Sequence, residues 1–215
     1  MERAEPKVSG KREARKHDRR LGMLATARRM FLDNGYAATS MSAIAAEVGG
    51  SKATLWNYFP SKEELFSAVL DDATADYRQK LTDLLRPTPD VAATVLAFTR
   101  GFLAKTTSIE AVQLHRLVAA ETARSPEVGK IFSRVPQRTR QLLADFFEAA
   151  MKAGQLRQAD PHVAAYALTS LCLGVQQRIL WGAPAPSEQE IEREAQNAAD
   201  IFLRAFAPPQ DDRAA

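Results

Sequence analysis

Residues 39–62 read TSMSAIAAEVGGSKATLWNYFPSK. Thr39 and Ser40 offer hydroxyls to cap a helix over residues 41–48, because an N-cap oxygen accepts amide hydrogens that the first turn leaves unpaired. Gly49 and Gly50 break that helix. Ser51 caps a second one over residues 52–58, and Pro60 ends it, since the residue before a proline avoids the helical region. Helix, two-glycine turn and short helix form a helix-turn-helix layout. Leu55 and Phe59, four apart, share a face that meets Ile44, Val48 and Phe31. At 100° per residue Ala53 and Asn57 point to the far side, with Thr54 and Trp56 on its flanks. That outward face is small, polar and aromatic, where a solvated helix is normally richer in Lys and Glu.

Duplex DNA accounts for such a face. The major groove admits one helix, a small residue such as Ala53 permits close approach, and an amide such as Asn57 can bond adenine bidentately. Thr39, Ser40, Thr54, Tyr58 and Lys62 sit at helix ends or flanks, where hydroxyls and an ammonium suit phosphates. A small helical bundle with incidental surface polarity is the competing explanation. Charge favours DNA: residues 1–62 hold twelve Lys/Arg against six Asp/Glu, whereas residues 63–215 hold 17 against 20. A basic front and a mildly acidic rear point the front at a polyanion.

Upstream, residues 1–18 are polar, carry Pro6 and Gly10, and read as a flexible basic arm. A 3.6-residue period then runs through Leu21, Leu24, Ala27 and Phe31 and stops at Asn34-Gly35, a good helix end because Gly tolerates the left-handed conformation. Downstream, Ser61 caps a long helix, with Glu63 and Glu64 placed for a capping box and the helix dipole. Its apolar face runs through Leu65, Val69, Ala73, Tyr77, Leu81 and Leu84 to Arg86-Pro87, so residues 61–85 are expected as one lever. Further helices are expected over 89–107, 109–123, 126–153 (with Pro136 marking a kink or break), 161–181 and 188–206. No period-2 stretch of strand length appears, so the fold class is all-α. The expected organisation is an arm over 1–18, a helix-turn-helix domain over 19–66, a sensing and dimerisation domain over 67–207, and a frayed tail over 208–215.

Residues 20–66, RLGMLATARRMFLDNGYAATSMSAIAAEVGGSKATLWNYFPSKEELF, resemble the DNA-binding domain of TetR-family transcriptional regulators. Phe31, Gly35-Tyr36, Thr39-Ser40, Ile44-Ala45, Gly49, Ser51, Thr54-Leu55, Tyr58-Phe59, Ser61-Lys62-Glu63 and Leu65 fall in the family's order and spacing. The resemblance implies that Lys52, Ala53, Trp56 and Asn57 face base edges or nearby backbone, and that Thr39, Ser40, Thr54, Tyr58 and Lys62 hold phosphates. Three positions depart from it. Gly50 stands where an apolar residue such as valine is usual, Trp56 where tyrosine is, and Tyr58 where histidine is. Residues 110–182 are similar to the C-terminal domain of an AefR-like and AcrR-like branch, which implies a sensor for lipophilic small molecules.

The residues lend that sensor some support. Phe98, Phe102, Val118, Phe147 and Met151 supply an apolar lining between helices, a usual place for ligands. His115, Gln176 and Gln177 lie in otherwise apolar helices and can orient a ligand. Aromatic residues at helical spacing are more often plain core, and His115 reads first as a hydrogen-bonded packing residue. Cys172, the only cysteine, reads as an inert buried thiol and excludes an internal disulfide. Residues 161–206 are expected to carry a homodimer contact: Ala167, Ser170 and Gly174 let helices approach closely, and Ile191, Ala195, Ala198, Phe202 and Phe206 form one stripe. A homodimer doubles the specificity of a single reading helix by engaging two half-sites.

Other function classes find little footing. The three histidines, His17, His115 and His162, have no His-x-x-x-His spacing, and there is no Cys cluster for zinc. His115 and Glu121 are six apart, about 240° around a helix, and cannot bind a metal from one face. No Gly-rich phosphate loop or nucleophile elbow is present, so neither an enzyme nor a cofactor is expected. The longest apolar run is six residues, against about 20 for a membrane span, and no secretory signal is read, so a cytoplasmic location is expected. Three readings remain: a repressor released from a palindromic DNA operator by a lipophilic effector; the same build answering a protein partner or acting as an activator; and a helical enzyme or carrier that merely contains a helix-turn-helix.

Overall fold

The computed structural model describes residues 8–208. Among them are ten helices and no strand: α1 Val8–Asn34, α2 Met41–Glu47, α3 Lys52–Tyr58, α4 Lys62–Ala73, α5 Ala75–Leu84, α6 Val91–Thr106, α7 Ile109–Thr122, α8 Pro126–Lys152, α9 Pro161–Leu180 and α10 Glu188–Phe206. The fold is all-α, as the sequence pattern required. No helix among the described residues is long and apolar enough to cross a membrane.

The chain divides into two compact units. The first contains the described residues up to Ala73 together with Leu117–Phe132, the end of α7 and the start of α8. Its centre is a triangle of rings: Phe31 lies 5.5 Å from Tyr36 and 5.4 Å from Phe66, and Tyr36 lies 5.1 Å from Phe66. Edge-on and tilted pairs of this kind add about 0.5–1.5 kcal/mol each beyond the area they bury. Ile44, Leu55 and Phe59 are buried in the same unit, on the face of α2 and α3 that the four-residue spacing assigned to the interior.

The second unit holds Thr74–Arg116 and the residues from Ser133 onward. Here α6 packs against α9 and α10, and those two against each other. Phe147 stacks on Phe202 at 4.8 Å and Phe202 on Phe206 at 4.6 Å. Asp90 caps α6, Asp160 caps α9, and Ser187 with Glu190 forms a reciprocal capping box on α10.

Four expectations need correction. The helix expected from about Lys16 begins at Val8, so the basic arm is helical over most of its length; residues 1–7 and the tail beyond Pro208 lie outside the described residues. The single lever over 61–85 is two helices parted at Thr74, whose φ of −113° leaves the helical range. The apolar period runs straight across that break, so spacing alone reads one helix. Pro136 does not end α8, which continues through it. The stripe on α10 is not free for a partner: Ala195, Ala198, Phe202 and Phe206 are buried in their own unit. Periodicity shows that a helix has an apolar side, and not which chain covers it.

Candidate nucleic-acid interface

The turn between α2 and α3 is set by local chemistry. Ser40 Oγ accepts the Ala43 amide at 3.1 Å and Ser51 Oγ accepts the Thr54 amide at 3.2 Å, so both helices start where their hydroxyls stand. Gly49 takes the left-handed conformation, φ 73°, and its amide and that of Gly50 donate to the Ala46 and Ala45 carbonyls, closing α2. A methyl group built on Gly50 meets only Arg19 Nη2 at 3.5 Å, an ordinary contact. The turn therefore has room for the apolar residue usual in the resembling family.

This turn delivers α3 with Leu55 inward and Lys52, Ala53, Trp56 and Asn57 exposed. Trp56 leaves 39% of its surface in solvent. The helix carries no acidic residue, so its outward face opposes no phosphate. Thr54 is half-buried and its hydroxyl lies 2.8 Å from that of Ser51. The Tyr58 hydroxyl donates to the Lys16 carbonyl at 3.4 Å, tying the end of α3 to the early part of α1.

Thr39 departs from the expectation of a phosphate contact. It is 1% exposed, and its hydroxyl lies 3.0 Å from the Met30 carbonyl oxygen and 2.8 Å from that of Gly35. The side chain staples the turn after α1 instead of facing outward. Lys62 is half-buried: its ammonium donates to the Ala37 carbonyl at 3.3 Å and lies 4.1 Å from the centre of the Tyr36 ring. Burial pushes this ammonium below the ordinary lysine range, against the opposing pull of Glu63 and Glu121. The Tyr36 hydroxyl donates to Glu63 at 3.2 Å, and burial, then Glu63, raises the phenol. The Glu63 carboxyl is lowered chiefly by its own backbone N–H, with help from Tyr36 and Ser61.

The residues assigned to an effector are only partly gathered. Phe98 and Phe102 stack at 5.4 Å, and Phe98, Phe147 and Met151 are buried in the second unit. His115 Nδ1 lies 2.7 Å from the Ala111 carbonyl and 3.3 Å from Gln176 Nε2, which donates to the Thr106 carbonyl at 2.8 Å. Gln177 is exposed, and Val118 belongs to the segment that folds with the first unit. Two features of the second unit escaped the sequence. The Tyr77 hydroxyl is buried with no hydrogen-bond partner and lies close enough to Cys172 to feel its charge, while burial pushes the Cys172 thiol up to about 12. A cleft of about 440 Å³ opens beside Pro87, Pro89, Phe146, Ala150 and Gln155. Among the described residues no group of three or more His, Cys, Asp or Glu is placed to hold a metal ion.

Known proteins match both parts of the chain. Residues 23–69 match the profile of bacterial regulatory proteins of the tetR family, and residues 93–208 match that of the AefR-like transcriptional repressor C-terminal domain. A TetR-family regulator from Mesorhizobium loti is 27% identical, covers 90% of this chain and 98% of its own, and superposes with a TM-score of 0.78. The flavonoid-responsive regulator FrrA is 32% identical over 90% of this chain and 100% of its own, with a TM-score of 0.75. The HTH-type regulator YhgD of Bacillus subtilis is 23% identical over 74% of this chain and 82% of its own.

Proposed function

Because the chain belongs to the TetR family of DNA-binding transcriptional regulators, we propose that it works as a homodimeric repressor that a lipophilic small molecule releases from a palindromic operator. The observation that carries this reading is the outward face of α3, where Ala53, Trp56 and Asn57 stand exposed on a helix without acidic residues. In this reading Asn57 and Ala53 meet base edges. Lys52 and Trp56 flank them, and Ser40, Thr54, Tyr58 and Lys62 line the phosphates. Thr39 acts behind them by fixing the turn.

The dimer reading draws its support from α9 rather than α10. Tyr166 is 62% and Trp181 77% exposed, with Val163, Ala167, Ser170 and Gly174 on the same side of the helix at three- and four-residue spacing. Large apolar side chains left bare in one stripe mark a contact surface. The effector reading is supported by the unpartnered Tyr77 hydroxyl inside the second unit, because a buried donor without an acceptor costs about 1–3 kcal/mol until something bonds to it. The FrrA regulator is named for its response to flavonoids, aromatic molecules with oxygen acceptors that suit such a hydroxyl. An effector that favours a spacing of reading helices unfit for the operator weakens DNA binding by its differential affinity, about 5–150-fold for 1–3 kcal/mol.

The test is analytical sedimentation with binding titrations on the DNA upstream of its own gene, on that DNA with one half-site scrambled, and on random duplex. A two-subunit species that prefers the intact palindrome is expected. A single subunit indifferent to palindromy overturns the reading.

A further inference from the structure

Glu121 has an environment that neither sequence spacing nor the family likeness explains. It sits near the end of α7, in the segment Leu117–Phe132 that folds with the first unit. It is only 7% exposed, and its Oε2 is buried with no hydrogen-bond partner. The other oxygen stands 3.7 Å from the position a Cβ would take on Gly35. A buried carboxylate is costly unless a positive charge lies nearby. Glu121 acts electrostatically on the Lys62 ammonium, and that ammonium points inward, onto the Ala37 carbonyl and the Tyr36 ring.

We propose that Glu121 is a positioning residue for DNA binding: its carboxylate holds the Lys62 ammonium in the inward pose over Tyr36, so that a DNA phosphate must compete with Glu121 for that charge. The proposal rests on the reading of Lys62 as a phosphate ligand. Glu63 also acts on Lys62, but it is exposed and accepts its bonds from Tyr36, Ser61 and its own amide. Glu121 lacks such partners for Oε2. It therefore supplies attraction from the buried side, where water screens least.

Glu121→Gln keeps the shape and removes the charge. Its affinity for operator and for random duplex is expected to rise alike, about three- to fivefold, the size of one modest ion pair. The gain must vanish in a Lys62→Ala background, which isolates the pair. Glu121→Asp, which keeps the charge, is expected to stay within about twofold of wild type. Glu127→Gln is the control for net charge, since Glu127 acts on Tyr36 and is not among the groups acting on Lys62. An equal gain in Glu127→Gln, a gain that persists without Lys62, or a loss of affinity in Glu121→Gln overturns the proposal. In the free protein, titration of the Lys62 ε-carbon by NMR is expected to give a lower midpoint in Glu121→Gln than in wild type, and an unchanged midpoint overturns the hold on the ammonium. If Lys62→Ala leaves the salt dependence of wild-type binding unchanged, the phosphate reading fails by itself, while the NMR midpoint still judges the Glu121–Lys62 link.

Discussion

Gly129 approaches Thr122 so closely that a methyl group built on its α-carbon lies 2.8 Å from Thr122 Cγ2 and 3.1 Å from its hydroxyl oxygen. The first turn of α8 is thereby pressed onto the last turn of α7, and Thr122 is fixed in turn by donating to the Val118 carbonyl at 2.6 Å. A β-branched side chain held in this way has little freedom to move aside. Gly129→Ala is therefore expected to lower stability by about 1–3 kcal/mol, the usual cost of overpacking. Adding Thr122→Ala removes the clashing atoms and is expected to return part of that loss, as read from urea midpoints of the single and double variants.

Asn57 stands exposed on α3 with no acidic neighbour on the helix. Asn57→Ala is expected to relax sequence preference by about 1–3 kcal/mol at one base position in each half-site, with random-duplex affinity nearly kept. Titrations against operators mutated one base pair at a time check this. Equal loss on every duplex assigns Asn57 to the backbone instead.

Thr39→Val separates the two roles given to that residue. Valine keeps the shape but strands the Met30 and Gly35 carbonyls that the hydroxyl bonds. A loss of about 1–3 kcal/mol in stability is expected. The slope of log affinity against log salt is expected to stay constant, because no phosphate contact is removed. A shallower slope with unchanged melting would return Thr39 to the DNA.

His115 predicts a pH dependence. Burial lowers its imidazole below the ordinary value of about 6.5, outweighing the bond to the Ala111 carbonyl. The unfolded chain thus binds the proton more readily than the folded one, and stability rises with pH across this window. The contribution is complete above the unfolded value and is lost as pH falls toward and through the lower folded value. Denaturant midpoints from pH 7.5 down to 5 are expected to fall more steeply in wild type than in His115→Gln, and parallel curves would exclude His115 as the source.

The parts of the molecule written in local signals were legible in the sequence. Ser40, Ser51, Gly49 and Pro60 each act within one helical turn, and they bound α2 and α3 to within a residue of where they lie. The roles that depend on distant partners were not legible. Thr39 looks like any exposed cap until the Met30 carbonyl, nine residues back, is placed against it. Glu121 carries no signal at all, because its neighbours Gly35 and Lys62 come from the other end of the chain. The α10 stripe was seen as apolar but assigned to the wrong cover, since Ala195 and Phe202 face their own unit.

The first unit is assembled from two separate pieces of chain, the described residues up to Ala73 and Leu117–Phe132, and the later piece gives it the buried side chains of Leu117, Val118, Val128 and Ile131. A fragment cut after Ala73 leaves behind the apolar patch those residues cover. Anyone grafting this DNA-recognition head onto another regulator must therefore transplant an internal loop as well as a terminus, and a hybrid joined at one seam inherits a mismatched underside.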